Sequence, residues 1–203
     1  MSALEVRRLG PERVDDFIGY FDRDAFTDNP WWAGCYCFHY DNPNDYEIPD
    51  PQTSPFRAFR DGNRSAKRAL IRSGRAHGFL AYRDGKVVGW LNAQPKEAYA
   101  NPRGFAAPFA EAPESTGMLM CFVVAPDERG HGVGTALLAA AIDTFRADGL
   151  RHVQGFARKP DAPQEEWESF ATSNYHGTHS MYVENGFAEV GTVGNYAVMR
   201  RSL

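Results

Sequence analysis

The chain has 203 residues, of which 43% are hydrophobic and 24% are charged, and this balance suits one domain with a sizeable core. Its formal net charge of −4 and the lack of a Lys/Arg-dense stripe argue against a nucleic-acid partner, because nothing would neutralise a phosphate backbone. Charged side chains throughout residues 1–20 argue against a secretion signal, and no later stretch is apolar for long enough to span a membrane. We therefore expect a cytoplasmic protein with one domain over residues 1–203.

The first 75 residues predict a short strand and two helices separated by irregular chain. The strand covers residues 4–6, and the first helix covers residues 11–20, with Pro11 in its first turn. An aromatic, irregular stretch follows at 21–46, and a loop rich in Pro and Asp continues through Pro55. The second helix is predicted at 64–72, where Gly74 ends it.

An aromatic run with two cysteines lies inside that irregular stretch, from Trp31 to Tyr40. Its Cys-x-Cys-x-His pattern does not have the spacing of a usual zinc finger, and the third cysteine, Cys121, is far along the chain. We therefore expect no metal, and three cysteines are too few for a disulfide framework. Core packing is the leading interpretation of the rings, and the wall of an acceptor pocket is the alternative.

The remaining chain predicts an alternation of strands and helices. Residues 77–82 and 86–93 predict a hairpin across Asp84-Gly85, a dipeptide suited to the positive φ angles of a tight turn. A loop at 94–115 precedes strands at 118–124, 152–156 and 196–199. The predicted fold class is α+β, a mixed sheet with flanking helices. Residues 158–173 exceed the length of a typical connection and are a candidate cover for an active site.

A glycine-rich turn connects the strand at 118–124 to a helix. Gly130, Gly132 and Gly134 carry no Cβ, so successive backbone N–H groups can close on a phosphate at the positive end of the helix dipole. Gly149 follows where a C-terminal cap belongs. Apolar residues recur between them at helical spacing, namely Leu137, Leu138, Ala141, Ile142 and Phe145. The turn therefore predicts an anion-binding loop.

Three phosphate-binding motifs compete for these glycines. A Walker loop needs a lysine before Ser or Thr, but Val133-Gly134 precedes Thr135. A dinucleotide fingerprint needs G-x-G-x-x-G and a later acidic residue, whereas the spacing here is G-x-G-x-G with no such acid in place. The third pattern, Arg-x-x-Gly-x-Gly after Val-x-Pro and before Leu-Leu, resembles the coenzyme A pyrophosphate loop of the GNAT superfamily (GCN5-related N-acetyltransferases). Arg129, Gly132 and Gly134 occupy its fixed positions.

A second motif supports the same resemblance. Tyr182 begins a Tyr-x-x-x-Gly-Phe segment similar to the family's ending, with Gly186 capping a helix and Phe187 starting the next strand. The resemblance covers roughly residues 76–199, which leaves residues 1–75 as the variable acceptor-side region. One departure concerns a family asparagine that contacts the cofactor about two turns before the tyrosine. Tyr175 holds that place here, with Asn174 beside it.

The resemblance implies direct transfer of an acetyl group from acetyl-CoA to a primary amine in a ternary complex, without a metal. It implies that backbone amides of the strand pair with the acyl carbonyl and the pantetheine arm, that the loop amides bind the pyrophosphate, and that Tyr182 protonates the departing thiolate. The implied cofactor-binding residues are Phe122, Val123, Val124, Arg129, Gly130, His131, Gly132, Val133, Gly134 and Thr135.

The general base and the acceptor remain open at this point. Many family members carry a glutamate on the cofactor strand, but residues 118–122 contain no carboxylate. Bulk water suffices, or a base comes from elsewhere, the candidates being Glu97, Glu111, Glu114, His176 and His179.

The expected acceptor is a small-molecule amine, and the net negative charge favours a cationic one. A protein N-terminus or lysine is one alternative, and a non-catalytic acyl-CoA-binding sensor is another. A homodimer is compatible with the sequence.

Overall fold

The fold is built on a mixed sheet. In the computed structural model, which describes residues 3–44, 47–102, 105–163 and 169–203, seven strands form one sheet in the order β1-β2-β3-β4-β5-β7-β6. The pair β4–β5 is parallel and the other pairs are antiparallel. This confirms the predicted α+β class. The strands are β1 Glu5–Arg8, β2 Phe79–Arg83, β3 Lys86–Pro95, β4 Thr116–Val124, β5 His152–Arg158, β6 Ala188–Val193 and β7 Tyr196–Ser202.

Helices cover both faces of the sheet. They are α1 Val14–Arg23, α2 Ser54–Arg72, α3 Ala106–Ala110, α4 Val133–Ala147, α5 Phe170–Asn174 and α6 His179–Glu184. A bulge at Val88 interrupts the usual alternation of side chains along β3, so Val88 and Leu91 join the core beneath α4 while Val87 and Trp90 join the core beneath α1 and α2. No helix among the described residues combines the length and apolar character needed to cross a membrane.

Several predicted elements are confirmed with shifted ends. The β2–β3 hairpin turns at Asp84 and Gly85, which have φ angles of 51° and 76°. Pro11 opens a 3₁₀ turn before α1, and Gly149 follows α4 in the left-handed conformation, with a φ of 81°.

The predicted start of the second helix, at residue 64, is wrong because α2 begins at Ser54. Pro55 lies in its first turn, where proline is well tolerated, and Phe56 begins a buried stripe that continues to Ile71. The loop predicted at 94–115 also contains a 3₁₀ turn at Lys96–Ala98 and helix α3. Of the long segment at 158–173, residues 164–168 lie outside the described part of the chain.

A bulge in β4 separates it from β5. Asn92 pairs with Cys121 and Ala93 pairs with Leu119, so Met120 is the extra residue on β4. Pairing between β4 and β5 covers residues 116–119 and 152–155, whereas β4 continues to Val124. The far half of β4 therefore leaves one edge open toward the α5–α6 connection.

Candidate functional site

The glycine-rich turn has the backbone conformation that only glycine adopts easily. Gly130 and Gly132 have φ angles of 75° and 79°, in the left-handed region. Gly132 is the N-cap of α4, and no side chain caps that helix end. A Cβ added at either glycine would meet nothing within 4 Å, so the space around both is open. The first N–H groups of a fifteen-residue helix are thus available to an anion.

A cleft of about 560 Å³ opens beside this turn. Its walls are the end of β4, the start of α4, the α5–α6 connection and the segment that follows α1. Of the residues predicted to bind the cofactor, all but His131 line this cleft: Phe122, Val123, Val124, Arg129, Gly130, Gly132, Val133, Gly134 and Thr135. His131 is exposed.

Arg129 links the glycine-rich turn to the segment after α1 through hydrogen bonds. Its guanidinium contacts both carboxylate oxygens of Asp28, at 2.5 and 3.2 Å, and its Nε donates to the Val124 carbonyl at 3.2 Å. The hydrogen bond from Arg129 holds the pKa of Asp28 below its usual value. The charge of Arg129 is therefore already paired, and its contacts join two walls of the cleft.

The α5–α6 connection forms hydrogen bonds to the edge of β4 that β5 leaves unpaired. The Phe122 amide, one of the strand amides predicted to pair with the cofactor, donates to the Tyr175 carbonyl at 2.6 Å. The next residue, His176, places Nδ1 2.5 Å from the Met120 carbonyl, so Nδ1 must carry the proton. One short segment thus satisfies an amide and a carbonyl of β4 on either side of Cys121.

Tyr182 lies behind that segment and is fully buried. Its hydroxyl donates to the His176 carbonyl at 2.7 Å. A Cβ on Gly155 would come within 2.2 Å of the phenol oxygen, and one on Gly177 would come within 2.9 Å of the ring, so two glycines make room for the side chain. Burial raises the pKa of Tyr182, which keeps its proton at ordinary pH. Tyr182 is not among the residues that line the cleft.

Comparison with known proteins identifies the family. Residues 39–187 match the model of the Acetyltransferase (GNAT) family. The chain belongs to that family. No curated protein sequence matches the chain.

Solved structures show the same fold at low sequence identity. The PaiA N-acetyltransferase from Thermoplasma acidophilum, solved in complex with coenzyme A, is 15% identical with a TM-score of 0.54, over 99% of each chain. A ribosomal-protein-alanine N-acetyltransferase from Brucella melitensis is 17% identical with a TM-score of 0.51, over 98% of this chain and 99% of its own. A GCN5-related N-acetyltransferase from Kribbella flavida is 22% identical with a TM-score of 0.51, over 99% of this chain and 98% of its own. At these identities the likeness shows the fold alone.

The candidates for the general base of this GNAT protein lie in different surroundings. Glu97, Glu111 and Glu114 are exposed, and His179 begins α6 with its Nε2 3.9 Å from a carboxylate oxygen of Glu189. None of these side chains lines the cleft, and neither does His176.

His176 is fully buried, and its Nε2 has no hydrogen-bond partner among the described residues. Burial lowers its pKa to about 3, so the imidazole is neutral, with its free lone pair on Nε2. A ring of aromatic side chains surrounds it: Tyr40, Phe105, Phe156, Tyr175 and Tyr196.

Some side chains of the aromatic run line the cleft, whereas others pack in the core. Trp32 lines the cleft and meets Tyr175 edge-on at 5.0 Å between ring centroids. Tyr36 and Tyr40 instead lie in the core, while Trp31 is 50% exposed. No group of three His, Cys, Asp or Glu side chains among the described residues is placed to hold a metal ion.

Sequence reasoning missed Asn29. Its side chain is buried and lines the cleft, and its Nδ2 has no partner among the described residues. A single asparagine in an irregular segment carries no sequence pattern, and only its position in the cleft identifies its Nδ2 as a candidate hydrogen-bond donor to a ligand.

Proposed function

We propose that this protein transfers an acetyl group from acetyl-CoA directly to the primary amine of a small molecule. The observation that carries the proposal is the turn at Gly130 and Gly132, which exposes the start of α4 to a cleft at the point where β4 leaves β5. The residues present fit the cofactor, because the turn offers backbone N–H groups without side-chain obstruction and β4 offers an extended edge beside it. Acetyl-CoA supplies the activated thioester.

The open edge of β4 would orient the thioester. The Phe122 amide already donates to a carbonyl oxygen at 2.6 Å, and a thioester carbonyl at the place of the Tyr175 oxygen would receive the same hydrogen bond. A fixed N–H donor at that position stabilises the negative charge that develops on the oxygen during acyl transfer. This role requires the Tyr175 carbonyl to withdraw.

Tyr182 is our candidate for the proton donor to the thiolate. It keeps its proton because burial raises its pKa, and its ring lies directly behind Gly177, which lines the cleft. Its present partner is the carbonyl of His176, in the same segment that occupies Phe122. A single movement of residues 175–177 would therefore free both groups.

The shape of the cleft supports a small acceptor. Phe26, Asn29 and Trp32 form one wall, and the Asp28–Arg129 ion pair joins that wall to the glycine turn. An amine bound against Trp32 would gain a favourable cation–π contact before losing its proton. A protein chain would need a more open groove.

The experiment that tests the proposal is thiol release from acetyl-CoA with a panel of amines: polyamines, aminoglycosides, arylalkylamines, amino acids and peptides. We expect turnover with one class of small amine. Turnover with peptides alone would replace the acceptor part of the proposal. Tight binding of acetyl-CoA with no turnover on any acceptor would favour an acyl-CoA sensor.

A further inference from the structure

The three cysteines of the chain come together on the side of β4 that faces α1 and α2. Cys35 and Cys37 belong to the aromatic run, whereas Cys121 lies on β4 immediately before Phe122. Cys37 and Cys121 pack into the same core cluster, and both lie next to Asn92, whose backbone pairs with Cys121 and whose side-chain amide donates to the Cys37 sulfur. The proposed acetyl transfer uses none of these thiols.

The surroundings of Cys37 are polar, unlike those of a cysteine that only fills a core. The Asn92 amide donates to its sulfur at 3.3 Å, and the Asn92 side-chain oxygen is in turn held by the Tyr99 hydroxyl at 2.8 Å. Lys67 is fully buried, and its ammonium donates to the Cys37 carbonyl at 3.2 Å and to Asp41 at 2.5 Å. The Asn92 amide therefore contacts the Cys37 sulfur directly, and the Lys67–Asp41 ion pair lies against the backbone of the same residue.

The backbone holds Cys37 in this position at a conformational cost. Tyr36 and Cys37 have φ angles of 47° and 48°, and two consecutive non-glycine residues in the left-handed region are uncommon. Tyr36 is anchored by its hydroxyl, which donates to Asp22 at 2.6 Å. This turn aims the Cys37 side chain at Asn92 and Cys121.

The surroundings of the three thiols determine which one ionises first. Burial raises the pKa of Cys37, but interaction with the neighbouring Cys121 thiol and the Lys67 charge outweigh burial and lower this pKa overall. Interaction with Cys37 and burial raise the pKa of Cys121, and burial raises the pKa of Cys35 to about 11. The cluster thus contains one sulfur favoured as the thiolate and a neighbouring thiol that retains its proton.

We propose that Cys37 and Cys121 form a peroxide-reactive dithiol, in which the Cys37 sulfur attacks the oxidant and Cys121 then closes an intramolecular disulfide. In the first step the Cys37 thiolate bonds to one oxygen of hydrogen peroxide, the O–O bond breaks, and the other oxygen leaves as water after taking a proton. In the second step the Cys121 sulfur bonds to the Cys37 sulfur, and the sulfenic oxygen leaves as water with the Cys121 proton. Two electrons pass from two thiols to one peroxide.

The positions of Cys37 and Cys121 determine which oxidants reach them and which segments the disulfide would connect. Cys37 is only 3% exposed whereas Cys121 is partly exposed, so a small oxidant has better access to the pair than a bulky one. The disulfide would link the aromatic run, which carries Trp32, to β4 next to Phe122. This inference does not rest on the proposed acetyl transfer.

The test is peptide mapping under non-reducing conditions after treatment of the reduced protein with stoichiometric hydrogen peroxide. We expect a Cys37–Cys121 cross-link in the wild type and in the matched control Cys35→Ser. In Cys121→Ser we expect Cys37 to stop at the sulfenic acid, which dimedone traps. In Cys37→Ser we expect thiol oxidation to slow about tenfold, because the favoured thiolate is gone.

A Cys35–Cys37 bridge, or three thiols that all remain alkylatable after peroxide treatment, would overturn the proposal. If either Cys37→Ser or Cys121→Ser fails to fold by circular dichroism, the mapping of the wild type and Cys35→Ser decides the question alone. We further expect the native protein to react more slowly with a bulky aromatic disulfide reagent than with peroxide, relative to the unfolded chain.

Discussion

The proposed cofactor side and the proposed acceptor side of the cleft are built by different means. On the cofactor side, a strand, a turn and a helix follow one another within residues 116–147, and their backbone groups face the cleft. On the acceptor side, residues 24–44 contain no α-helix or strand in the described structure, and side chains from distant parts of the chain hold them. Examples are the ion pairs of Asp28 with Arg129 and of Asp41 with Lys67.

The two sides should therefore tolerate different substitutions. A backbone cradle depends on two left-handed glycines and tolerates change in most neighbouring side chains. The proposed acceptor side depends on contacts between individual side chains, so we expect a substitution there to alter which amine binds while the glycine turn is unchanged. Variants on the two sides should therefore separate cofactor binding from acceptor recognition.

Tyr182→Phe should give the largest effect, because it removes the proposed proton donor while preserving the ring. We expect kcat to fall about 100-fold with little change in the dissociation constant of coenzyme A. Stopped-flow thiol release and calorimetry measure the two quantities. The matched control is Tyr82→Phe, which loses a hydroxyl bound to Asp16 at 2.7 Å, remote from the cleft. Equal activity losses in both variants would remove Tyr182 from the chemistry.

His176 should make the folded protein sensitive to acid. Its pKa is about 3 when folded and about 6.5 when unfolded, so the unfolded chain binds the extra proton and stability falls as the pH drops below 6.5. Between pH 7 and pH 5 this single group should cost about 2 kcal/mol, roughly a 30-fold change in the folding equilibrium.

His176→Asn is the matched variant, because the asparagine Nδ2 can replace Nδ1 as the donor to Met120 and does not titrate. Urea unfolding at both pH values should show about 2 kcal/mol less loss for this variant than for the wild type. His176→Gln places its amide near Nε2 instead and should be less stable than His176→Asn at pH 7. Equal pH dependence in the wild type and His176→Asn would contradict the assignment.

Gly132→Ala should weaken coenzyme A binding by about tenfold, since a residue with a Cβ resists the left-handed backbone that opens the turn. Gly149→Ala introduces the same strain at the other end of α4, where φ is 81° and space is equally open. Both variants should lose similar thermal stability, but only the first should lose affinity in calorimetry. Equal affinities would mean that the turn does not contact the cofactor.

Trp32→Leu should produce the smallest effect and test the acceptor side. We expect the KM for the amine to rise about fivefold through the lost aromatic contact, with coenzyme A affinity nearly unchanged. Trp31→Leu, at an exposed neighbouring position, should leave both quantities unchanged. A rise in KM for Trp31→Leu alone would place the amine elsewhere.

The sequence predicted the strand, turn and helix at residues 116–147 well because their signals are local. The glycines of the turn, the spacing along α4 and the Asp84-Gly85 hairpin are all recognisable within a few residues. The bulge at Met120 was not predicted, because it exists only in the pairing of β4 with β3. The contact of His176 with Met120 joins residues 56 apart, and that of Arg129 with Asp28 joins residues 101 apart. The same reason explains the missed Asn29 and the late start predicted for α2, whose buried stripe faces partners far away in the chain.

The most direct test of the central claim is a calorimetric titration of acetyl-CoA into the wild-type protein. We predict saturable binding of one molecule per chain, with a dissociation constant in the micromolar to submillimolar range that is usual for enzyme substrates. The absence of binding at millimolar acetyl-CoA, by a protein that unfolds cooperatively, would contradict the claim that this cleft holds the cofactor.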